Sequence, residues 1–215
     1  VFIDSAVDDL SVIAAASPAG AEVVVIDHAS DGVPQIASYL AGRSGIDAIH
    51  IVSHGEPGEL LLGAAKLTLA SIAGEHADEL AAIKSSLSAD ADILVYGCNV
   101  AAGEDGQAFV QALAGATGAD IAASTDATGS AALGGDWDLE QQLGSIETAN
   151  VSAPQFEGLL APLVVTPVNG TTVTATTLAQ QLMGSNVTIL SATLSGQNQQ
   201  AGIFTGATGG ATPWI

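Results

Sequence analysis

The stretch DAIHIVSHG, residues 47–55, decides the fold. It is an apolar, β-branched run typical of a buried strand, yet it ends on Ser, His and Gly. A second run, ADILVYGC at residues 91–98, has the same form and ends on Gly and Cys. Continuous apolar runs are typical of parallel strands that are covered on both faces. The two runs therefore predict central strands of a parallel sheet.

Similar runs lie on either side of this pair, at VFIDSAV (1–7), EVVVID (22–27) and ADIAAST (119–125), and segments with helical spacing separate them. This alternation predicts an α/β fold with a three-layer, mostly parallel sheet and helices on both faces. One amphipathic helix is expected over residues 69–87. The segment 133–147 is expected to form a hairpin or edge strand, with Trp137 over the core.

The composition changes along the chain and predicts three parts. We expect the α/β domain to cover residues 1–148 and a linker punctuated by Pro to cover 149–162. Residues 163–215 are rich in Thr, Gly and Asn and nearly uncharged, which predicts the start of a β-rich second domain with a short helix at 177–183.

The charge of the chain argues against nucleic acid and anionic membranes as partners. Three basic residues stand against 23 acidic ones, for a net charge of −20. Such a surface repels nucleic acid and anionic membranes. No window of the sequence reaches the roughly 18 apolar residues of a membrane span. Neither nucleic acid nor a membrane span is therefore expected.

Chemistry is expected where the two central strands end. The ends of parallel strands lie at one edge of a sheet, so His54 and Cys98 should come together there. An imidazole raises the reactivity of a nearby thiol, and the glycines beside both residues leave room for a substrate and free N–H groups for an oxyanion. This pattern predicts acyl transfer. The alternative is structural, with Cys98 as a buried apolar residue and His54 in a turn.

The pair SHG and YGC resembles the His-Gly and Gly-Cys signature of the caspase-like cysteine peptidases. More closely, VFIDSAV, DAIHIVSHGEPGELLLG, ADILVYGCNVAAGEDGQAFVQALAGATGADIAASTDATG and GGDWDLE resemble an uncharacterised caspase-like domain near the N-terminus of giant bacterial surface and adhesin-type proteins. That resemblance covers about residues 1–160. The tail is similar to the opening of a β-rich module of secreted, surface-anchored bacterial proteins.

The resemblance implies roles for individual residues. His54 would be the general acid and base, Cys98 the nucleophile, and the N–H groups of Gly55 and Cys98 the oxyanion hole. It also implies an extracellular location at the bacterial cell surface. The substrate would be a polypeptide or the chain itself, and the surface context would suit a homo-oligomer or assembly into a surface structure.

Specificity is expected to follow from acidic residues. The chain has a single Arg, Arg43, placed away from the strand ends, which argues against a pocket for a substrate Asp. Asp4 closes the first strand and Asp126 lies just past the fifth, at the relevant edge of the sheet. Either could bind a substrate Lys or Arg in the P1 position, the residue before the cleaved bond. The alternative role for both is to cap turns or helices. Self-cleavage after Lys66 or Lys84 is a corollary of a basic P1.

No cofactor and no metal site are expected. The histidines lack a shared ligand spacing, and the acidic residues, which would suit calcium, lack a spaced calcium-binding loop. Two functions follow. One is a self-processing cysteine endopeptidase of a secreted bacterial surface protein; the other is a structural or adhesive module, or a filament subunit, without catalysis.

Overall fold

The computed structural model describes residues 1–162, together with two short strands, Ala192–Thr193 and Gln200–Ala201, that pair antiparallel. The chain forms two compact units, Val1–Pro162 and Leu163–Ile215. The helix expected at 177–183, and most of the β-rich domain expected at 163–215, lie outside the described residues.

The first unit alternates strands and helices along the chain. Its strands are β1 (Phe2–Asp4), β2 (Val24–Ile26), β3 (Ile46–Val52), β4 (Gly55–Glu56), β5 (Glu59–Leu62), β6 (Ala65–Thr68), β7 (Leu87–Tyr96), β8 (Asp120–Ala123) and β9 (Gln141–Leu143). Its helices are α1 (Leu10–Ala15), α2 (Gly32–Leu40), α3 (Leu69–Ala73), α4 (Ala77–Ser86) and α5 (Gly103–Thr117), with a 3₁₀ turn at Ala131–Leu133.

Six of these strands form one sheet in the order β2-β1-β3-β7-β8-β9. All neighbours are parallel except β8 and β9, which pair antiparallel at the edge. The expected mostly parallel α/β sheet, with an edge strand near Trp137, is confirmed. Strands β4, β5 and β6, which lie between β3 and β7 along the chain, form a separate antiparallel sheet.

Successive side chains of the central strands enter two different cores. In β7, Val95 belongs to a core with α2 to α5, whereas Leu94 and Tyr96 belong to a core on the opposite face. This alternation follows from the period of two along a strand. Helices lie on both faces, but unequally: the second face is covered by α1, by Trp137 and Leu139, and by the irregular segment 151–160. Among the described residues, no helix is both long and apolar enough to cross a membrane.

The single helix expected over 69–87 is two helices. Thr68 and Ser71 form a reciprocal capping box that starts α3, and the chain leaves the helix at Gly74 before α4 starts at Ala77. Leu87, expected on the apolar face of that helix, instead begins β7. Ile72, Leu80 and Ile83 are buried, as the amphipathic spacing predicts. The same spacing runs on across the break between the two helices, so it does not reveal the break.

The segment expected as a linker, residues 149–162, is part of the first unit. Val151, Ala153, Phe156 and Leu160 are all buried in the second core. This corrects the expected boundary, since the compact unit ends at Pro162 and not at 148. We call residues 147–160 the connector below.

Candidate active site

The ends of β3 and β7 meet in register. Val52 pairs with Tyr96, so His54 and Cys98 each follow two residues after a paired position. The N–H of Ser53 donates to the carbonyl of Tyr96 at 3.0 Å and continues the pairing past the strands. The two ends are tightly packed, because a Cβ on Gly55 would lie only 2.3 Å from the Val100 side chain. The sheet thus brings the expected pair of loops to one place.

The imidazole of His54 is held by a backbone carbonyl. Its Nε2 lies 3.3 Å from the carbonyl oxygen of Ala6, in the loop after β1. A carbonyl only accepts hydrogen bonds, so in the neutral ring Nε2 carries the proton and Nδ1 carries the lone pair. Nδ1 is buried and has no hydrogen-bond partner within the described part of the chain. The free lone pair is the form that a general base requires.

The expected oxyanion donors converge on one oxygen atom. The N–H of Gly55 donates to the carbonyl oxygen of Leu160 at 3.0 Å, and the N–H of Cys98 donates to the same oxygen at 2.9 Å. Two backbone N–H groups aimed at one oxygen beside a thiol are the arrangement that stabilises a tetrahedral oxyanion. Here the oxygen between them belongs to the connector.

The last residues of the connector form an isolated antiparallel bridge with the segment after β8. Leu159 pairs with Gly129. The N–H of Leu160 donates to the carbonyl of Thr128 at 2.9 Å, and the carbonyl of Gly158 accepts from the N–H of Ser130 at 2.8 Å. Gly129 has φ +136°, and a Cβ there would lie 2.4 Å from the Gly158 oxygen. The close approach therefore depends on glycine.

The thiol of Cys98 is buried, with 1% of the residue exposed. The N–H of Thr128 points to Sγ at 3.3 Å, and Sγ lies 3.5 Å from the carbonyl of the same residue. Burial raises the pKa of the Cys98 thiol above its usual value, against the opposing effect of the Thr128 hydrogen bond. In this state the sulfur is mostly protonated at neutral pH.

Comparison with known proteins gives a family for the larger unit. Residues 1–159 match the domain of unknown function DUF4347. The chain belongs to that family. No curated protein and no solved structure matches the chain. The DUF4347 match therefore covers β1 to β9 and almost all of the connector, including both strand ends that carry His54 and Cys98.

Asp4 of the DUF4347 domain has a different environment from the one expected of a substrate-binding residue. It is 2% exposed, and its oxygens accept from the N–H of Ala6 at 2.8 Å and of Gly63 at 2.5 Å. Neither oxygen is left open to a substrate side chain. Asp4 instead fixes the loop of Ala6, whose carbonyl orients His54. Asp4 therefore caps the turn at Ala6 and connects it to Gly63.

Asp126 lies nearer to the site and is exposed. Its backbone carbonyl accepts from the N–H of Asn99, the residue after Cys98, at 2.6 Å. Partial burial, followed by the charges of Glu140 and Asp136, raises the pKa of the Asp126 carboxyl group. The carboxylate is thus close to the site without touching the sulfur, and its expected role in binding a substrate Lys or Arg stays a prediction.

Two groups of the DUF4347 domain could offer ligand atoms to a metal ion. One joins Asp126, Asp136 and Glu140, all exposed, and the other joins Asp31, Glu75 and His76; within each group the ligand atoms lie within 4.8 Å of one another. Exposed carboxylates commonly cluster without an ion, so the first group is not by itself a site. Neither group includes His54 or Cys98.

Sequence reasoning found His54, Gly55 and Cys98 but missed Ala6 and Leu160. Both act through their backbone carbonyls, which carry no mark in the sequence. The apolar positions Val151, Ala153, Phe156 and Leu160 were the available signal that the connector is buried, since a solvated linker has no need of them.

Proposed function

We propose that the DUF4347 domain is a cysteine endopeptidase of the caspase-like type, with His54 as general acid and base and Cys98 as nucleophile. The convergence of the Gly55 and Cys98 N–H groups on one carbonyl oxygen carries this proposal. The oxygen lies where a substrate carbonyl would be polarised, next to the only thiol of the chain. The orientation of His54 by Ala6 supports the same function.

The wider context forms part of the proposal. The resemblance to N-terminal domains of giant bacterial surface proteins suits a secreted protein at the cell surface that processes its own chain. A polypeptide is the substrate class, because the backbone of Thr128–Ser130 pairs with the backbone of the connector; we call this edge, where the connector lies, the groove. Backbone pairing is how peptide grooves gain affinity, while side-chain pockets give specificity.

A structural or adhesive module is the second candidate. The burial of Cys98 and the raised pKa of its thiol favour it, because a reactive cysteine is usually accessible and easily deprotonated. In this alternative, Leu160 closes the edge of the sheet as part of the core.

Covalent labelling distinguishes the two. The full chain is incubated with acyloxymethyl ketones built on Glu-Gly-Leu-Leu, the sequence of residues 157–160, or on the analogue that ends in Lys. The modified residue is located by mass spectrometry. The variant Leu160→Asp is treated in parallel, since a charged side chain cannot stay in the apolar core and the connector leaves the groove. Cys98→Ala and His54→Ala are the controls.

We expect Cys98 to be labelled in the Leu160→Asp chain and to be labelled more slowly in the natural chain. His54→Ala should slow the labelling at least about tenfold relative to the same chain with His54. A preference between the two probes reports whether Leu or Lys is favoured at P1. If circular dichroism shows folded protein and Cys98 is labelled in neither chain, the peptidase proposal is wrong and the structural module is favoured.

A further inference from the structure

The connector occupies the candidate site as a substrate would. Its carbonyl at Leu160 lies between the two oxyanion donors, and the N–H of Leu160 and the carbonyl of Gly158 are bound to Thr128 and Ser130. A peptide substrate whose cleaved bond follows Leu160 would make these same three kinds of contact. Both buried N–H groups need an acceptor, and the connector supplies one oxygen, the carbonyl of Leu160, to the two of them.

The side chain of Leu160 is fully buried in an apolar environment. It is 0% exposed and belongs to the apolar core that also contains Val7, Trp137 and Phe156. An apolar seat of this kind accepts an aliphatic P1 residue and would leave the ammonium of Lys or the guanidinium of Arg buried without a partner. The geometry thus selects Leu at P1 in the chain's own segment.

We infer that the peptide bond between Leu160 and Ala161 is the first substrate of this domain, cut within the same chain; this rests on the proposed function. The cut separates residues 1–160 from everything that follows. It also frees the end of the connector at Leu160, so that the groove beside Thr128–Ser130 can open to other peptides.

The chemistry of the cut balances with water as the only co-reactant. The sulfur of Cys98 bonds to the carbonyl carbon of Leu160, and the thiol proton passes to Nδ1 of His54. Collapse of the oxyanion breaks the bond to Ala161, whose nitrogen takes that proton and leaves as an amine. Water then hydrolyses the thioester with His54 as base, which gives the Leu160 carboxylate and restores the thiol.

The test uses the full chain in reductant, with and without calcium, over several pH values. Mass spectrometry should find one fragment that ends at Leu160 and one that begins at Ala161. Cys98→Ala should abolish both. Independence of the rate from protein concentration should show that the cut occurs within one chain.

Two variants at the neighbouring residue sharpen the result. In Ala161→Pro the bond to be cut becomes a tertiary amide, and the ring carbon that replaces the N–H hydrogen crowds the approach of the Cys98 sulfur to the Leu160 carbonyl carbon. Ala161→Gly is the matched control. We expect Pro to slow the cut at least about a hundredfold and Gly to change it less than about threefold.

The outcomes separate this inference from the proposed function. Cleavage only elsewhere, for example after Lys66 or Lys84, overturns the inference, as does an intact chain whose Cys98 is labelled by the peptide probe; both leave the peptidase standing. An intact chain with an unlabelled Cys98 overturns both proposals. A cut after Leu160 that persists in Cys98→Ala is made by a contaminant and also overturns the inference.

Discussion

Thr128 is the residue through which the thiol and the connector meet. Its carbonyl oxygen accepts from the N–H of Leu160 at 2.9 Å and lies 3.5 Å from the sulfur of Cys98, and its own N–H points to that sulfur at 3.3 Å. An N–H group directed at sulfur favours the thiolate. Release of the connector would therefore change the surroundings of the Cys98 thiol together with its access to solvent.

The titration of Cys98 should reflect its burial. Because burial raises its thiol pKa, with a smaller contribution of the same sign from the charge of Asp126, the thiolate forms only at alkaline pH. We predict that the rate of Cys98 alkylation by iodoacetamide in the folded chain rises with pH about a midpoint above that of the same chain unfolded in urea. A folded midpoint at or below the unfolded one would contradict this, and Asp126→Asn should lower the folded midpoint.

The residues that could be predicted from the sequence are those whose chemistry lies in the side chain. His54 and Cys98 were found because imidazole and thiol are rare here and stand at matching strand ends. Asp4 was also singled out, and one of its oxygens caps the turn at Ala6, as the alternative role proposed. Its other oxygen binds the N–H of Gly63, 59 residues further along the chain, which no local pattern reveals. The same applies to the contact of Leu160.

The connector is bound to the sheet at three places along its length. The Oδ2 atom of buried Asp92 accepts from the N–H of Glu147 at 3.1 Å and of Thr148 at 2.9 Å. The hydroxyl of Tyr96 accepts from the N–H of Val151 at 2.8 Å, and the third place is the Leu160 carbonyl. Asp92 and Tyr96 both belong to β7, the strand that leads to Cys98.

The middle attachment should contribute measurably to stability. The Tyr96 hydroxyl lies 3.2 Å from Nδ1 of His50, and burial lowers the pKa of His50 to about 4, so the ring is neutral at neutral pH. Since the hydroxyl oxygen already accepts from the Val151 N–H, its proton is free to go to Nδ1 in the tautomer that carries the ring proton on Nε2. Tyr96→Phe leaves the Val151 N–H and His50 Nδ1 unpaired. We predict a loss of about 1–3 kcal/mol in the free energy of unfolding by urea.

A matched control is Tyr39→Phe, which removes a hydroxyl that donates to Glu22 in an exposed pair. It should cost less than about 0.5 kcal/mol. Equal losses in the two variants would show that the buried hydroxyl of Tyr96 has no special role. Alkylation of Cys98 should also be faster in Tyr96→Phe, because the connector is held at one place fewer.

At the scale of elements, the strands could be predicted from the sequence, whereas the bounds of the segments that pack over the sheet could not. Continuous apolar runs identify β3, β7 and β8 because a strand buried on both faces needs them. The break between α3 and α4 was not predicted, because the apolar spacing of Ile72 and Leu80 continues across Gly74. The connector was read as a linker because its Pro and polar residues are typical of loops, while its burial is achieved by scattered apolar residues.

The whole molecule is strongly acidic, with three basic residues against 23 acidic ones. Two of the three basic side chains form exposed ion pairs, Arg43 with Glu22 and Lys66 with Glu59. Exposed pairs of this kind contribute little. Most of the acidic charge therefore stands without a basic partner, and its mutual repulsion opposes the compact state.

Screening should relieve this repulsion. We predict that raising NaCl from about 0.01 M to 0.5 M at neutral pH stabilises the chain by on the order of 1 kcal/mol, or about 2–4 °C in the Tm measured by calorimetry. CaCl₂ at equal ionic strength separates screening from specific binding, since only bound calcium would raise the Tm further. A Tm that falls or stays constant in NaCl would contradict the prediction.

The covalent attachment of Leu160 to the domain whose donors it contacts has a consequence for inhibitors. A tethered segment faces its groove at an effective concentration that reaches the millimolar range for short flexible tethers. A peptide added in solution must outcompete that local concentration before it reaches Cys98. Affinities measured on the uncut chain would therefore be lower than those of the groove itself, and a compound library screened on that chain would miss ligands that the opened groove binds well.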